Sequence, residues 1–264
     1  MSAGNAGRPS SKRSARPLLR TPSHEEGLAR LQFLVDHGSR LGLLLGESGS
    51  GKTTLLETVH QDLRRASCLT ALVNVAGLDP EELLWAIAAK LQTPVETEWN
   101  QFQLWRALND RFTELRFLRE QAVVLIDDID LASSDVLMHL YRLAKCENAA
   151  DARLSIILSG TPAAPARLGR RLLDLVELKI ELPAWSVAET RALIDATPTD
   201  AERVVRFSTV AVERLHALAH GLPRSIVRLT ELARLAAAAD GAEVVDAETV
   251  EAVADELGVH AVAG

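Results

Sequence analysis

Residues 46–53 read Gly46-Glu47-Ser48-Gly49-Ser50-Gly51-Lys52-Thr53, which is a complete G-x-x-x-x-G-K-[ST] pattern. The apolar run 41–45 precedes this stretch, and a segment with the composition of a helix, 54–59, follows it. A strand, a glycine-rich loop and a helix in this order are typical of a phosphate-binding loop. The alternative, a flexible Gly/Ser loop without a ligand, leaves the two flanking segments unexplained.

The residue types in this loop suit a triphosphate. Glycines let successive backbone N–H groups point at phosphate oxygens, and the start of the following helix adds partial positive charge. Lys52 is expected to neutralise the β- and γ-phosphates, and the Thr53 hydroxyl is expected to ligate Mg²⁺. The sequence therefore predicts that residues 46–53, together with Thr54, bind ATP with Mg²⁺.

The composition describes an ordinary globular chain. Its 264 residues, 47% of them hydrophobic and 25% charged, suffice for one large α/β unit or a medium domain plus a small one. The net charge of −7 argues against a surface that coats DNA, but is compatible with a local basic patch. Cys68 and Cys146 lie in apolar segments, so we expect buried, reduced thiols. With neither a membrane-spanning apolar stretch nor a secretory signal, the sequence predicts a cytoplasmic protein.

The pattern of apolar residues predicts an α/β nucleotide-binding domain over residues 21–184. Continuous apolar runs are typical of parallel strands that are buried on both faces, whereas an alternating run indicates a strand at or near an edge. Helical segments separate the runs, which predicts a five-stranded, doubly wound parallel sheet. The predicted strands are 41–45, 69–75, 122–126, 154–158 and the alternating 176–182. Within the helix predicted over 102–118, the expected core residues are Phe102, Trp105, Leu108, Phe112 and Leu115.

The residues after 184 have a different pattern, with signals for helices only. Ser186-Val187-Ala188-Glu189 is a capping box, and further helices are predicted over about 209–220, 223–239 and 247–257. These segments predict a small, all-helical lid domain over residues 185–258. Residues 1–20 are basic and rich in Ser, Gly, Ala and Pro, so we expect a disordered tail there, and a second short tail over 259–264.

Two acidic residues end the predicted strand 122–126. An ionised carboxylate at Asp127 needs a partner, and Mg²⁺ held by Thr53 would supply it; the alternative is a turn aspartate. In hydrolytic enzymes of this plan the next residue is usually a Glu that orients the attacking water. Here it is Asp128, shorter by one methylene, or roughly 1.5 Å. We therefore expect hydrolysis to be slow or to depend on a partner. Asp130 is expected to cap the loop.

Further candidates lie downstream. Ser159 or Thr161, after the strand 154–158, could sense the γ-phosphate, although Ser and Thr are also common at strand ends for turn reasons. A cluster of arginines could supply an arginine finger to a neighbouring subunit, or could be a solvated helix face: Arg167, Arg170 and Arg171. His216 and His220 have a metal-compatible i, i+4 spacing, but their Ala/Leu surroundings favour a structural pair.

These residues resemble the AAA+ superfamily, and most closely its branch of ExeA-type general secretion pathway ATPases, with TniB/MuB-type transposition ATPases and Orc1/Cdc6-type proteins nearby. The matching segments are 22–31, the loop 46–56, the Walker B strand 124–128 and the sensor-2 motif Gly221-Leu222-Pro223-Arg224. The resemblance implies that Arg224 contacts the γ-phosphate from the lid and that residues Pro22–His24 border the adenine. The sequence departs from the family pattern at Asp128, where the usual residue is Glu. ExeA-type proteins often continue into a transmembrane segment and a peptidoglycan-binding domain, which this sequence does not contain, so a secretion role is not expected from the resemblance alone.

The leading hypothesis is an ATPase that couples Mg-ATP hydrolysis to a conformational change acting on a protein or DNA partner, with assembly into a homo-oligomer. The second is an ATP-dependent switch or adaptor, of transposition or signalling type, with little intrinsic hydrolysis. A small-molecule kinase is disfavoured because the G-L-P-R region resembles AAA+ proteins and no acceptor-site cluster is recognisable.

Overall fold

A computed structural model describes residues 21–146, 153–197 and 205–258. Its central feature is a sheet of five parallel strands in the order β2-β3-β4-β1-β5. The strands are β1 (Leu41–Leu45), β2 (Leu69–Asn74), β3 (Ala122–Asp127), β4 (Leu154–Gly160) and β5 (Leu178–Glu181). β1, β3 and β4 are buried along their whole length, and β5 alternates at an edge. The predicted α/β fold with a five-stranded parallel sheet is confirmed.

Among the described residues, six helices accompany the sheet: α1 (Pro22–Asp36), α2 (Lys52–Arg65), α3 (Pro80–Lys90), α4 (Gln101–Leu118), α5 (Ser134–Cys146) and α6 (Ala164–Leu173). Local sequence explains where several of them begin. Asp79 and Glu82 form a capping box at the start of α3, and Asn100 and Gln103 form one at the start of α4. A short 3₁₀ turn, Ile129–Leu131, joins β3 to α5.

Two features of these helices differ from the sequence-based expectations. Phe102 is 76% exposed, so its assignment to the core was wrong, whereas the other four predicted core residues of α4 are buried. Phe102 is the second residue of α4, and the buried residues of this helix begin only at Leu104. The helix α5 was not predicted, although Val136, Leu140 and Leu143 have the 3.6-residue period of its buried face.

The residues after β5 form a separate hydrophobic cluster that runs from Trp185 to Ala254. Four helices build it: α7 (Val187–Ala196), α8 (Thr209–Ala219), α9 (Pro223–Ala239) and α10 (Ala247–Glu256). The expectation of helices alone in this region needs one correction, because β6 (Arg206–Phe207) and β7 (Val244–Val245) pair in parallel. Two-residue strands are too short to show a period, so the sequence pattern did not reveal them.

Several predictions concern the ends and the chemistry of the chain. The predicted tails 1–20 and 259–264 lie outside the described residues. Across the described ranges, no helix is both long enough and apolar enough to cross a membrane. Cys68 and Cys146 are only partly buried, which corrects the expectation that both are buried. Burial raises the pKa of the Cys68 thiol, which keeps it protonated and unreactive near neutral pH.

Candidate functional site

The phosphate loop connects the carboxyl end of β1 to the first residue of α2. Gly49 and Gly51 have φ angles of 88° and 98°, a left-handed conformation that favours glycine. A Cβ atom at Gly46 would lie only 2.5 Å from Ser50 Oγ, so a side chain there would force Ser50 to shift. The Gly46 N–H donates to Gly160 O at 3.2 Å, which ties the loop to the end of β4. The loop is therefore a tight backbone cradle that depends on its glycines.

Lys52 is buried at the start of α2 and its ammonium lies inside this cradle. Lys52 Nζ donates to the carbonyl oxygens of Gly46 at 2.8 Å and Glu47 at 3.1 Å. Burial lowers the pKa of Lys52, and Arg224 acts in the same direction, while the carboxylates of Asp127, Asp130 and Asp128 oppose the shift. A positive charge held at a loop of inward-facing N–H groups suits an anion.

The carboxylate at the end of β3 meets the residue after the lysine. Thr53 Oγ1 donates to Asp127 Oδ2 at 2.6 Å, and Ser159 Oγ donates to Asp127 Oδ1 at 2.8 Å. Asp127 is only 2% exposed, and these hydroxyls, together with the Asp128 N–H at 3.0 Å, supply hydrogen bonds to its buried carboxylate. The topology brings them together because β4 lies between β1 and β3, with all three carboxyl ends at one edge of the sheet.

This donor set fits Mg²⁺ that is shared with a phosphate. Mg²⁺ usually takes one or two protein ligands and completes its shell with waters and phosphate oxygens. Asp127 and Thr53 supply one carboxylate and one hydroxyl at contact distance. In the part of the chain that the structure describes, no group of three or more His, Cys, Asp or Glu side chains could hold a metal ion by itself. The residues present therefore suit a metal that arrives with a nucleotide.

Asp128 has a partner that the sequence analysis missed. Its backbone is left-handed, with a φ of 56°, and its Oδ2 accepts a hydrogen bond from Asn74 Nδ2 at 2.7 Å. Asn74 ends β2 directly opposite Asp127, and its Oδ1 accepts from the Ala76 N–H at 2.9 Å, which fixes the orientation of the amide. The available signal was a polar residue near the end of a predicted strand next to the Walker B strand.

The two candidate sensors have different surroundings. Ser159 is fully buried and contacts Asp127, as described above. Thr161 is partly buried, and its backbone N–H donates to Asp130 Oδ1 at 3.0 Å, so Asp130 caps this loop. The contact with the Asp127 carboxylate thus favours Ser159 over Thr161 as the candidate sensor.

The lid reaches the phosphate loop through the start of α9. The Arg224 N–H donates to Gly49 O at 3.2 Å, and a Cβ atom on Gly49 would lie 3.0 Å from Arg224 Cβ. The Arg224 side chain is exposed and begins directly beside the loop. On the other side, His24 in the first turn of α1 is buried, with Nε2 at 3.1 Å from Ser50 O. The structure therefore brings the predicted lid and adenine-side residues to the same loop.

The remaining candidates lie elsewhere. Arg170 and Arg171 are exposed in the last turn of α6, whereas Arg167 donates to Ala132 O at 3.0 Å. An action on a neighbouring subunit therefore remains a prediction for the first two. His216 Nδ1 and Thr190 Oγ1 share a hydrogen bond of 2.9 Å, and His220 ends α8 with a φ of 51°. This arrangement fits a structural role for both histidines.

Comparison with known proteins identifies the family of this chain. The sequence model of the AAA domain family matches residues 35–168, about half of the 264-residue chain. General secretion pathway protein A of Aeromonas hydrophila is 27% identical over 236 residues, which cover 85% of this chain and 42% of that protein. This chain therefore spans less than half the length of that relative.

Two solved structures have the same fold. Cdc6p from Pyrobaculum aerophilum superposes with a TM-score of 0.72 at 17% identity, covering 90% of this chain and 68% of the other. The RuvB Holliday junction branch migration motor of Thermotoga maritima gives a TM-score of 0.61 at 20% identity, covering 92% and 71%. With its phosphate loop, Walker B strand and lid arginine, the chain belongs to the AAA domain family and is an AAA+ protein similar to the ExeA type.

Proposed function

We propose that this protein binds Mg-ATP at the phosphate loop and hydrolyses it to drive a conformational change. One observation carries the proposal: the 2.6 Å hydrogen bond from Thr53 to the buried Asp127 carboxylate, beside the Lys52 ammonium. This arrangement places a cation, a hydroxyl and an acid at the mouth of a glycine cradle, as binding of a metal-triphosphate complex requires.

Each residue then has a definite task. The backbone N–H groups of residues 46–54 would surround the phosphates, and Lys52 would exchange its two loop carbonyls for phosphate oxygens. Thr53 and Asp127 would hold Mg²⁺, which when bound neutralises charge on the β- and γ-phosphates. Asp128, oriented by Asn74, would position the attacking water. Ser159 would connect the state of Asp127 to β4.

We propose that residues 21–184 and 185–258 act as two bodies, the second being the lid. The separate hydrophobic cluster of residues 185–254 supports this division. Arg224 would contact the γ-phosphate, and the short link between its N–H and Gly49 O supports a role for α9 in following the nucleotide. The motion would act on a protein or DNA partner within a homo-oligomer, in which Arg170 or Arg171 would approach the site of a neighbouring subunit. The names of the similar proteins, one from a secretion pathway and one a DNA motor, support testing both partner classes.

A second candidate function is an ATP-dependent switch with little hydrolysis. Asp128 favours it, because its short carboxylate is already bound to Asn74 at 2.7 Å and has one methylene less reach than the usual Glu. In such a switch the protein would change conformation on binding ATP and return when the nucleotide dissociates.

Isothermal titration of the folded protein with Mg-ATP tests the proposal. We expect wild type to bind and Lys52→Ala to lose binding or turnover, with Lys145→Ala on α5 as a control that behaves like wild type. Unchanged affinity and turnover in Lys52→Ala would refute the site. Steady-state phosphate release, measured with and without DNA, then separates the two candidate functions, since a switch releases little phosphate in either condition.

A further inference from the structure

We propose that His24 is a positioning residue that couples the lid to the phosphate loop, through Ser50 on one side and Trp185 on the other. We call these three residues the coupling triad. The inference rests on the proposed function, because it concerns how ATP at the loop and the position of the lid depend on each other.

On the loop side, the His24 ring supports the backbone directly. Its Nε2 lies 3.1 Å from Ser50 O, and since a carbonyl oxygen can only accept, Nε2 carries the hydrogen. A Cβ atom on Gly51 would lie 2.6 Å from the same nitrogen, so the loop presses against the ring without a gap. A shift of the ring would therefore displace the Ser50–Gly51 peptide, whose N–H belongs to the phosphate cradle.

On the lid side, the same ring contacts Trp185 edge to face, with the centroids 5.3 Å apart and the planes at 73°. Trp185 is 5% exposed and belongs to the hydrophobic cluster of the lid. Its backbone N–H donates to Gly221 O at 2.8 Å, three residues before the Arg224 that touches the loop. Trp185 thus moves with the chain that leads into α9.

A buried carboxylate holds α1 against the lid. Glu189 Oε1 accepts from the Ser23 N–H at 3.0 Å, and Glu189 Oε2 accepts from the Ser186 N–H at 2.8 Å. Ser23 precedes His24, and Ser186 follows Trp185. The Glu189 side chain therefore joins the segment that carries His24 to the segment that carries Trp185, and we call its two hydrogen bonds the Glu189 clamp. The lid cannot tilt without moving the first turn of α1 or breaking this clamp.

Two substitutions separate the two contacts of His24. His24→Phe keeps a ring against Trp185 and removes the hydrogen bond to Ser50. Within the described residues His24 Nδ1 has no hydrogen-bond partner, so Phe loses no second bond. His24→Gln places an amide where Nε2 was and keeps the bond to Ser50, but removes the ring. The buried Trp185 Nε1 likewise has no described partner, so Trp185→Phe is a clean probe of the contribution of Trp185 to the fluorescence.

The experiment measures two quantities: the Mg-ATP affinity by calorimetry, and the change in tryptophan emission when nucleotide binds. Each variant is compared with the same variant carrying Trp185→Phe, and the difference gives the emission of Trp185. We expect ATP to change the emission of Trp185 in wild type. His24→Phe should weaken binding about tenfold, the value of one hydrogen bond, and lose the emission change at saturating ATP. His24→Gln should bind within about threefold of wild type, because its bond to Ser50 remains, yet also lose the emission change.

A role limited to stability would lower the thermal midpoint of the variants and leave the emission change intact at saturating ATP, which would overturn the coupling. If one variant does not fold, the other decides in the same way. Wild type that binds ATP without any change in Trp185 emission would refute the coupling alone. Wild type that does not bind ATP would refute the proposed function, and the coupling with it.

Discussion

Asp127 and Asp128 are neighbours in the chain, yet their environments differ. Asp127 is in β3, buried, and its carboxylate accepts from Thr53, Ser159 and the Asp128 N–H. At Asp128 the backbone turns into the left-handed region, which directs this side chain toward the end of β2 and the Asn74 amide. Of the residue types with a Cβ, Asp and Asn tolerate that conformation best. The turn therefore gives two adjacent acids two different environments.

Lengthening Asp128 tests its proposed task. We expect Asp128→Glu to preserve or raise ATP turnover, because the longer carboxylate reaches farther toward the γ-phosphate, at a stability cost of about 1 kcal/mol for a left-handed Glu. Asp128→Asn, which tolerates the backbone but lacks the charge, should lose turnover and keep ATP binding. Phosphate release at saturating Mg-ATP checks both. A collapse of the rate in Asp128→Glu with intact binding would show that residue 128 does not orient the water.

Helix N-termini converge around the phosphate loop. α2 begins at Lys52, α9 begins one residue before Arg224, and α1 and α7 meet at Glu189. Each N-terminus carries partial positive charge, which favours an anion nearby. At α1 and α7 that anion is the Glu189 carboxylate, whereas at α2 the Asp127 carboxylate accepts from the Thr53 hydroxyl and the backbone N–H groups are proposed to hold a phosphate. One pair of helices is therefore joined by the protein's own acid, and the loop helix remains available to a phosphate.

The Glu189 clamp has a predicted pH dependence. Burial raises the pKa of Glu189, but hydrogen bonds from Ser186 and Ser23 outweigh it and lower the pKa to about 2. Because this folded-state value lies below the ordinary 4.5, the stabilisation is complete above about pH 4.5 and is lost as the pH falls toward 2. We expect Glu189→Gln to lower the free energy of unfolding by about 1–3 kcal/mol at pH 7. The difference from wild type should shrink between pH 4.5 and 3.

Urea unfolding at several pH values measures this difference. Glu57→Gln, on the exposed face of α2, is the control and should remain within about 0.5 kcal/mol of wild type at every pH. A difference between Glu189→Gln and wild type that persists unchanged at pH 3 would mean that the charge of Glu189 does not contribute to the clamp.

At the scale of the whole molecule, the site is built from two parts of the chain that have separate hydrophobic clusters. The lid contacts the phosphate loop at Gly49 and the first turn of α1 at His24. The exposed Arg170 and Arg171 lie on α6, which follows β4. Exposed arginines on a helix outside the lid suit an assembly of several copies, in which each copy completes the site of the next.

Native mass measurement with ADP, ATP and a slowly hydrolysed analogue tests this assembly. We expect larger species with ATP or the analogue than with ADP. The double variant Arg170→Ala/Arg171→Ala should bind ATP normally and lose most of its turnover, about 10³-fold if one of them is an arginine finger. Arg106→Ala, an exposed arginine on α4 paired with Asp110, is the matched control. A monomer in all three nucleotide states would favour the switch without an arginine finger.

Local sequence was sufficient for the phosphate loop, the five strands and most helix starts. These features depend on neighbours within a few positions: a glycine pattern, an apolar run, or a cap such as Asp79 with Glu82. The approach of Thr53 to Asp127 was also predictable, because the ends of parallel strands meet at one edge of the sheet. The family resemblance additionally predicted that Arg224 contacts the nucleotide from the lid.

Tertiary structure alone revealed the contacts that organise the site. Asn74 and Asp128 are 54 positions apart, and Ser23 and Glu189 are 166 apart. No local period or cap relates such residues, because their distance depends on strand order, on the left-handed turn at Asp128 and on the packing of the lid against α1. Adjacent residues thus determine the phosphate loop, whereas the contact between the loop and the lid depends on how distant segments pack together.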